Sequence, residues 1–414
     1  MTPPPSPAVE GGAAAAGHGG RRRHVLLFPL PYQGHINPML RLAGVLRARG
    51  FAVTVFHTHF NAPDAARHPE HRFVAVPDGM SGRPPPVSVG DVVKHIRALN
   101  AACEAAFRDR LAAVLAEYSR DAVACLVADA HLLRMLDMPV SELPPYRVRD
   151  LMHIGRDGHE LMCELLARAV AAVKLSSGLI LNTFDALEAH ELAKLRRDLA
   201  VPVFDIGPLH RFSPAADGSL LHQDRSCLAW LDAQTAESVL YVSFGSLASM
   251  GARELVETAW GIAGSGVPFL WVVRPGLVRG RRAAPGEPTR LLPEGFEAAT
   301  RRRGVVVAWA PQEEVLRHRA VGGFWTHNGW NSTTESLAEG VPMLCRPSFG
   351  DQMGNARYVE HVWKAGFEVV GGELERGAVE EAIRRLMAES DGGEMRARAR
   401  ELKKAAAEGK NDKT

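Results

Sequence analysis

An α/β fold built from two doubly wound halves is what this sequence predicts, and three observations carry the prediction. Short apolar runs of strand length recur along the chain and alternate with longer amphipathic patterns, as in a parallel sheet wrapped by helices. At 414 residues the chain has room for two such units, each with its own core. The rhythm breaks once, over 210–222, where Pro214 and Gly218 interrupt it before strands and helices resume. That segment is the expected interdomain linker, dividing the chain into 24–209 and 223–414.

Residues 1–20 are mostly Pro, Ala and Gly, so 1–23 is expected to be a disordered leader. Arg21-Arg22-Arg23 before an apolar run imitates a signal peptide. The run is short, however, and Gln33-Gly34-His35 stands where a small-residue cleavage site belongs. Residues 24–30 are therefore read as a first strand, followed by a loop over 31–38 and a helix to Arg49 that Gly50 ends. Strands are expected at 52–57, 72–76 and 122–128, a Pro/Gly loop at 78–86 and a long helix over 89–118. A helical stretch over 150–175 leads to strands at 179–184 and 201–206. In the second half, a strand at 239–244 runs into Gly245-Ser246, placing Ser246 to contact a nucleotide or its phosphates. A helix over 253–264, a strand at 269–273 and a basic loop over 275–288 follow, and helices from 377 onward close the chain.

The densest signal lies between Trp309 and Gln352. Three apolar runs, 305–308, 323–326 and 341–344, precede Trp309, His327-Asn328-Gly329-Trp330-Asn331-Ser332 and Asp351-Gln352 respectively. Parallel sheets bind ligands outside the carboxyl ends of their strands, so these polar and aromatic residues gather on one rim. A helix opening near Trp330 presents unpaired amides and partial positive charge, which suits a phosphate or diphosphate. Gly329 allows close backbone approach, and His327 adds a side-chain donor. Glu335 lies one turn beyond Asn331, where a carboxylate can accept the two hydroxyls of a ribose. Trp309 offers a flat ring to a nucleobase.

These residues resemble the signature box of plant family-1 UDP-glycosyltransferases, with the grass enzymes that glucosylate benzoxazinoids similar in HNGWNS and in Leu143-Pro144-Pro145-Tyr146. The resemblance extends from His24 to about Ala407. It implies the GT-B architecture, two Rossmann-like domains facing a cleft, the first binding acceptor and the second binding UDP-sugar. It further implies that Trp309 stacks on uracil beside Ala310, and that Gln312 and Glu335 hold ribose. His327, Asn331 and Ser332 would take the diphosphate, and Trp330, Asp351 and Gln352 the sugar. Trp330 and Gln352 go with glucose, so UDP-glucose is the expected donor substrate. Asn328 stands where the family more often has cysteine, a change expected to be neutral.

A second constellation falls in the first half. His35 follows strand one and Asp129 follows strand four, neighbours in a sheet ordered 3-2-1-4 with the switch point between them. The reading places His35 just before a helix, whose positive end keeps the ring available as a base. A carboxylate behind it fixes the tautomer and steadies the cation. The resemblance gives these positions the same roles, base and orienting acid of an inverting O-glucosyl transfer to a small lipophilic acceptor. One departure stands out: between Asp129 and Leu143 a strand-helix unit after Met135 is missing relative to the family. A truncated homologue that only binds UDP-sugar, or transfer of another sugar, therefore stays open.

Composition narrows the partners. A net charge of +2 argues against nucleic acid or another polyanion. The five cysteines (Cys103, Cys125, Cys163, Cys227, Cys345) form no Cys-x-x-Cys pair, which fits a reducing, cytoplasmic setting without zinc. No apolar run reaches membrane-spanning length. His57 and His59 lack companion ligands and are read as cleft-edge residues, and His131 as polar rim. No Asp-x-Asp occurs to clamp a metal, and no Gly-x-Gly-x-x-Gly opens a helix for a nicotinamide. No cofactor or metal is expected, and a monomer is.

Overall fold

The computed structural model describes residues 23–80, 89–118, 122–128, 167–212, 221–280, 288–369 and 374–408. The leader, most of the 78–86 loop, Asp129, the shortened stretch after Met135 and most of the linker lie outside the described residues. So do much of the 275–288 loop and the last six residues.

In the first half, β1 (His24–Phe28), β2 (Ala52–Thr58), β3 (Arg72–Val76) and β4 (Val123–Ala128) form a parallel sheet in the order β3-β2-β1-β4, as expected. Strand geometry sends alternate side chains to opposite faces, and β1 shows why an unbroken apolar run is needed. Val25 and Leu27 pack with Ile36 and Leu40 of α1 (Gln33–Ala48) on one face. Leu26 and Phe28 pack with Leu99 of α2 (Val89–Ala116) on the other. Both faces are covered, as a parallel sheet requires. The sheet stops at β4 among the described residues. β5 (Leu179–Leu181) and β6 (Val203–Asp205) pair with each other in a separate two-stranded sheet, flanked by α3 (Asp185–Asp198). Leu126, Ile180 and Phe204, on these three strands, are all exposed. Of the helix expected over 150–175, residues 167–175 are described and helical.

The second half places β7 (Val239–Ser243), β8 (Phe269–Val272), β9 (Gly304–Val307), β10 (Val321–Thr326), β11 (Met343–Cys345) and β12 (Gly366–Glu368) in one sheet. Its order is β12-β11-β10-β7-β8-β9, with every pair parallel. The order in which strands are added reverses between β7 and β10, so the switch point lies there. The connecting helices, in chain order, are α4 (Ser226–Asp232), α5 (Ala252–Ser265), α6 (Phe296–Thr300), α7 (Gln312–Arg317), α8 (Trp330–Glu339), α9 (Gln352–His361), α10 (Arg376–Ala388) and α11 (Ser390–Glu408). Leu240, Val242, Trp271 and Trp325 face α5 and α10. Tyr241, Leu270, Phe324 and Met343 face α4, α7, α8 and α11. Phe184 and Leu187, from the first half, belong to this second cluster, and the Trp363 indole N–H donates to the Leu187 carbonyl at 3.0 Å. The two halves thus share apolar contact.

Phe324 is fully buried and stacks on Tyr241 with ring centroids 4.9 Å apart. Phe324→Ala should cost about 3–5 kcal/mol of stability, read as an earlier denaturant midpoint. A midpoint unchanged from wild type would show that this layer of the core does not hold the sheet.

Candidate active site

β10 ends at Thr326 and α8 begins at Trp330, so three residues make the connection. Asn328 takes φ 60° there, a left-handed conformation that asparagine tolerates better than most residues. Its amide N–H donates to Thr326 Oγ1 at 3.2 Å, and its Nδ2 donates to Cys345 Sγ at 3.2 Å. Its carbonyl accepts from Asn355 Nδ2 at 2.9 Å. The asparagine in place of the family's cysteine thus has contacts of its own. Gly329 precedes the helix, no side chain caps it and the first turn carries no acid. The first amides of α8 therefore keep their donors for an anion.

His327 is wedged between two glycines. A Cβ on Gly245 would stand 2.5 Å from the ring, and one on Gly329 would stand 2.6 Å from it. Burial, reinforced by the Arg274 charge, pushes its pKa down to about 4, so near neutral pH the ring is uncharged, with one donor and one acceptor nitrogen. Gly245 and Ser246 follow β7 after Phe244, beside the end of β10 at the switch point.

The expected ribose residues come together. Gln312 Nε2 donates to Ser332 Oγ at 2.9 Å and to Glu335 Oε2 at 2.8 Å. Glu335 is buried, and its other oxygen accepts from Arg41 Nη1 at 3.2 Å. Arg41, on α1 of the first half, also pairs with Glu313. Trp309 is part-buried after β9 and packs against the second-half core, with Ala310 buried beside it. Gln352 Oε1 accepts the Ser348 and Phe349 amides, at 2.9 and 3.1 Å, so its Nε2 end is the one that could address a sugar. Asp351 is exposed at the start of α9 and accepts from Asn355 Nδ2 at 2.8 Å. The Trp330 indole N–H is engaged by the Asn182 carbonyl at 2.9 Å.

His35 sits inside α1 as its third residue, a correction to the expected place just before the helix. The loop after β1 is shorter than the sequence pattern implied, because the helix runs through Pro38, its sixth residue, which removes one backbone donor without ending it. Asn331 Nδ2 donates to the Gly34 carbonyl at 2.7 Å, so the start of α8 docks against the residue before His35. Tyr32, Phe60 and His95 form an aromatic wall near His35. The Tyr32 hydroxyl lies 2.7 Å from His95 Nδ1, and Phe60 meets the His95 ring edge-on at 4.5 Å. Asn182, Arg41, Arg274 and this wall were not foreseen; these residues are scattered along the sequence, with no spacing to mark them. Among the described residues no cluster of three His, Cys, Asp or Glu side chains could hold a metal, and no helix is long and apolar enough to cross a membrane.

Gly329 has φ −58°, so alanine there is strained only by the ring. Gly329→Ala should displace His327 and weaken UDP binding roughly tenfold, about 1.4 kcal/mol, with little change in thermal midpoint. Calorimetric titration checks this; unchanged affinity would place the imidazole outside the phosphate site.

The DIMBOA UDP-glucosyltransferase BX8 of Zea mays is 48% identical over 440 aligned positions, covering 93% of this chain and 94% of the maize protein. The DIMBOA UDP-glucosyltransferase BX9 of Zea mays is 46% identical, with 93% and 91% covered. The BX8 alignment is longer than the 414-residue chain itself, so part of that relative has no counterpart here. The crystal structure of Os79 from O. sativa in complex with UDP matches with a TM-score of 0.76 at 27% identity, over 92% of this chain and 95% of that one. The family model for UDP-glucoronosyl and UDP-glucosyl transferases matches residues 162–395. With its two parallel sheets in GT-B arrangement, the chain belongs to the UDP-glucoronosyl and UDP-glucosyl transferase family.

Proposed function

We propose that the chain transfers glucose from UDP-glucose to a hydroxyl of a small lipophilic acceptor with inversion at the anomeric carbon. One observation carries the reading: the Gln312–Ser332–Glu335 cluster, the uncapped start of α8 and His327 adjoin one another, and Asn331 docks them against Gly34, next to His35. In this reading uracil lies on Trp309 beside Ala310, and Gln312 and Glu335 hold the ribose. Ser246, Asn331, Ser332, His327 and the helix amides take the diphosphate. The Gln352 amide, Asp351 and Trp330 face the glucose.

The chemistry follows from that placement. His35 removes the acceptor hydroxyl proton as the oxygen attacks the anomeric carbon. The bond from that carbon to the phosphate oxygen breaks, and its electrons leave with UDP. Negative charge grows on the diphosphate, where preorganised donors are worth most. Asp129 orients His35 and steadies its cation. A single displacement converts an α-linked donor into a β-glucoside. No metal takes part, and the chain acts as a cytoplasmic monomer. The relatives named for DIMBOA make benzoxazinoids the first acceptors to try.

A second reading keeps the donor half and gives up turnover. It is favoured by the sheet that stops at β4 among the described residues and by the stretch of the maize relative with no counterpart here. Incubating the chain with equal UDP-glucose, UDP-galactose and UDP-glucuronate, over a panel of phenolic and hydroxamic acceptors, separates the readings. Glucoside is the expected product, lowered about 10²–10⁴-fold by His35→Ala while UDP affinity persists. An excess of galactoside or glucuronide would refute glucose as donor. UDP binding without product on any acceptor would establish the second reading.

A further inference from the structure

Arg274 stands two residues beyond β8 and is 6% exposed. Its Nε donates to the Gly245 carbonyl at 2.7 Å and its Nη1 to the Pro275 carbonyl at 3.2 Å. Its Nη2 donates to the Ala248 carbonyl. All three acceptors are neutral, and no carboxylate among the described residues pairs with the guanidinium. Burial pulls its pKa down to about 10, which leaves it charged at neutral pH. A buried ion costs several kcal/mol, which a partner of opposite charge normally offsets. Carbonyl dipoles satisfy its hydrogens but do not cancel its charge.

What lies in front of Arg274 supplies the missing sign. The Gly245 carbonyl it holds belongs to the residue whose absent Cβ makes room for His327. The next layer is the start of α8, whose first turn has no acidic residue. Guanidinium, glycine backbone, neutral imidazole and bare helix amides thus form a stack with positive character, and among the described residues no carboxylate pairs with the guanidinium at its base. A ligand anion at the helix start would complete it.

We infer that Arg274 is a positioning residue for the donor: it fixes the 245–248 turn that carries Ser246, and its fixed charge takes the UDP-sugar diphosphate as counter-ion. The inference rests on the proposed UDP-sugar site and adds to it a residue that need not touch the ligand. Its action is electrostatic, so it acts on the phosphates and not on the nucleoside.

UDP and uridine are the probes, titrated by NMR into the wild-type chain and into Arg274→Met and Arg274→Lys. Arg274→Met should lose at least about tenfold in UDP affinity, in keeping with removal of one member of a buried charge pair, while uridine affinity holds. Arg274→Lys keeps the charge without the fork and should restore most of the preference for UDP over uridine, which a merely structural role would not do. If Arg274→Met fails to fold, Arg274→Gln decides, since its amide nitrogen stands near the place of Nε and can serve the Gly245 carbonyl without charge. Equal loss for both probes, or undiminished UDP affinity in the neutral variant, overturns the inference and leaves the donor site standing. A wild-type chain that binds neither probe overturns both.

Discussion

The start of α8 is the constraint on which the site depends. The helix follows β10, which pairs with β7 where the strand order reverses. For its first amides to stay available, no side chain can cap the helix, and none does. The approach must also be short, which forces Asn328 into its left-handed turn and leaves Gly329 and Gly245 too close to His327 for any Cβ. The hydrogen bonds from Asn328 to Thr326 and Cys345, and from Asn355 to Asn328, then hold a backbone that would otherwise relax. Replacing the turn residues changes the site before it changes the fold.

The same helix joins the two halves. Asn331 reaches Gly34, Trp330 reaches Asn182, and Glu335 reaches Arg41. The Gln312–Ser332–Glu335 cluster and the helix that carries His35 are therefore coupled through one short segment. Arg41 gives this contact a charge, shared between Glu313 and Glu335. In the proposed donor mode, a ribose at Glu335 would meet a carboxylate already held in place by Arg41 and Gln312, so little ordering would remain for the ligand to impose.

The sheets were legible because buried parallel strands are nearly pure apolar runs, as in Val25-Leu26-Leu27-Phe28 and Val239-Leu240-Tyr241-Val242. β12 was not, since Gly366-Phe367-Glu368 is three residues with one apolar side chain of any size. The separation of β5 and β6 from the four-stranded sheet also escaped prediction, because pairing between distant strands leaves no local mark. In the site, the donor box was readable as a block, its members being close in sequence. The bonds of the Gln352 oxygen to the turn that begins α9 were not legible, because they go to backbone amides. Arg274 and Asn182 act through backbone carbonyls, and nothing in a residue's identity announces such a partner.

The central claim is that protein groups alone meet the charge of the donor diphosphate: the α8 amides, a neutral His327 and buried Arg274. Calorimetric titration of UDP into the chain in the presence of EDTA tests it most directly. Saturable one-to-one binding, unchanged when Mg²⁺ or Mn²⁺ replaces the chelator, is the predicted result. Binding that appears only once the divalent cation is supplied would contradict it.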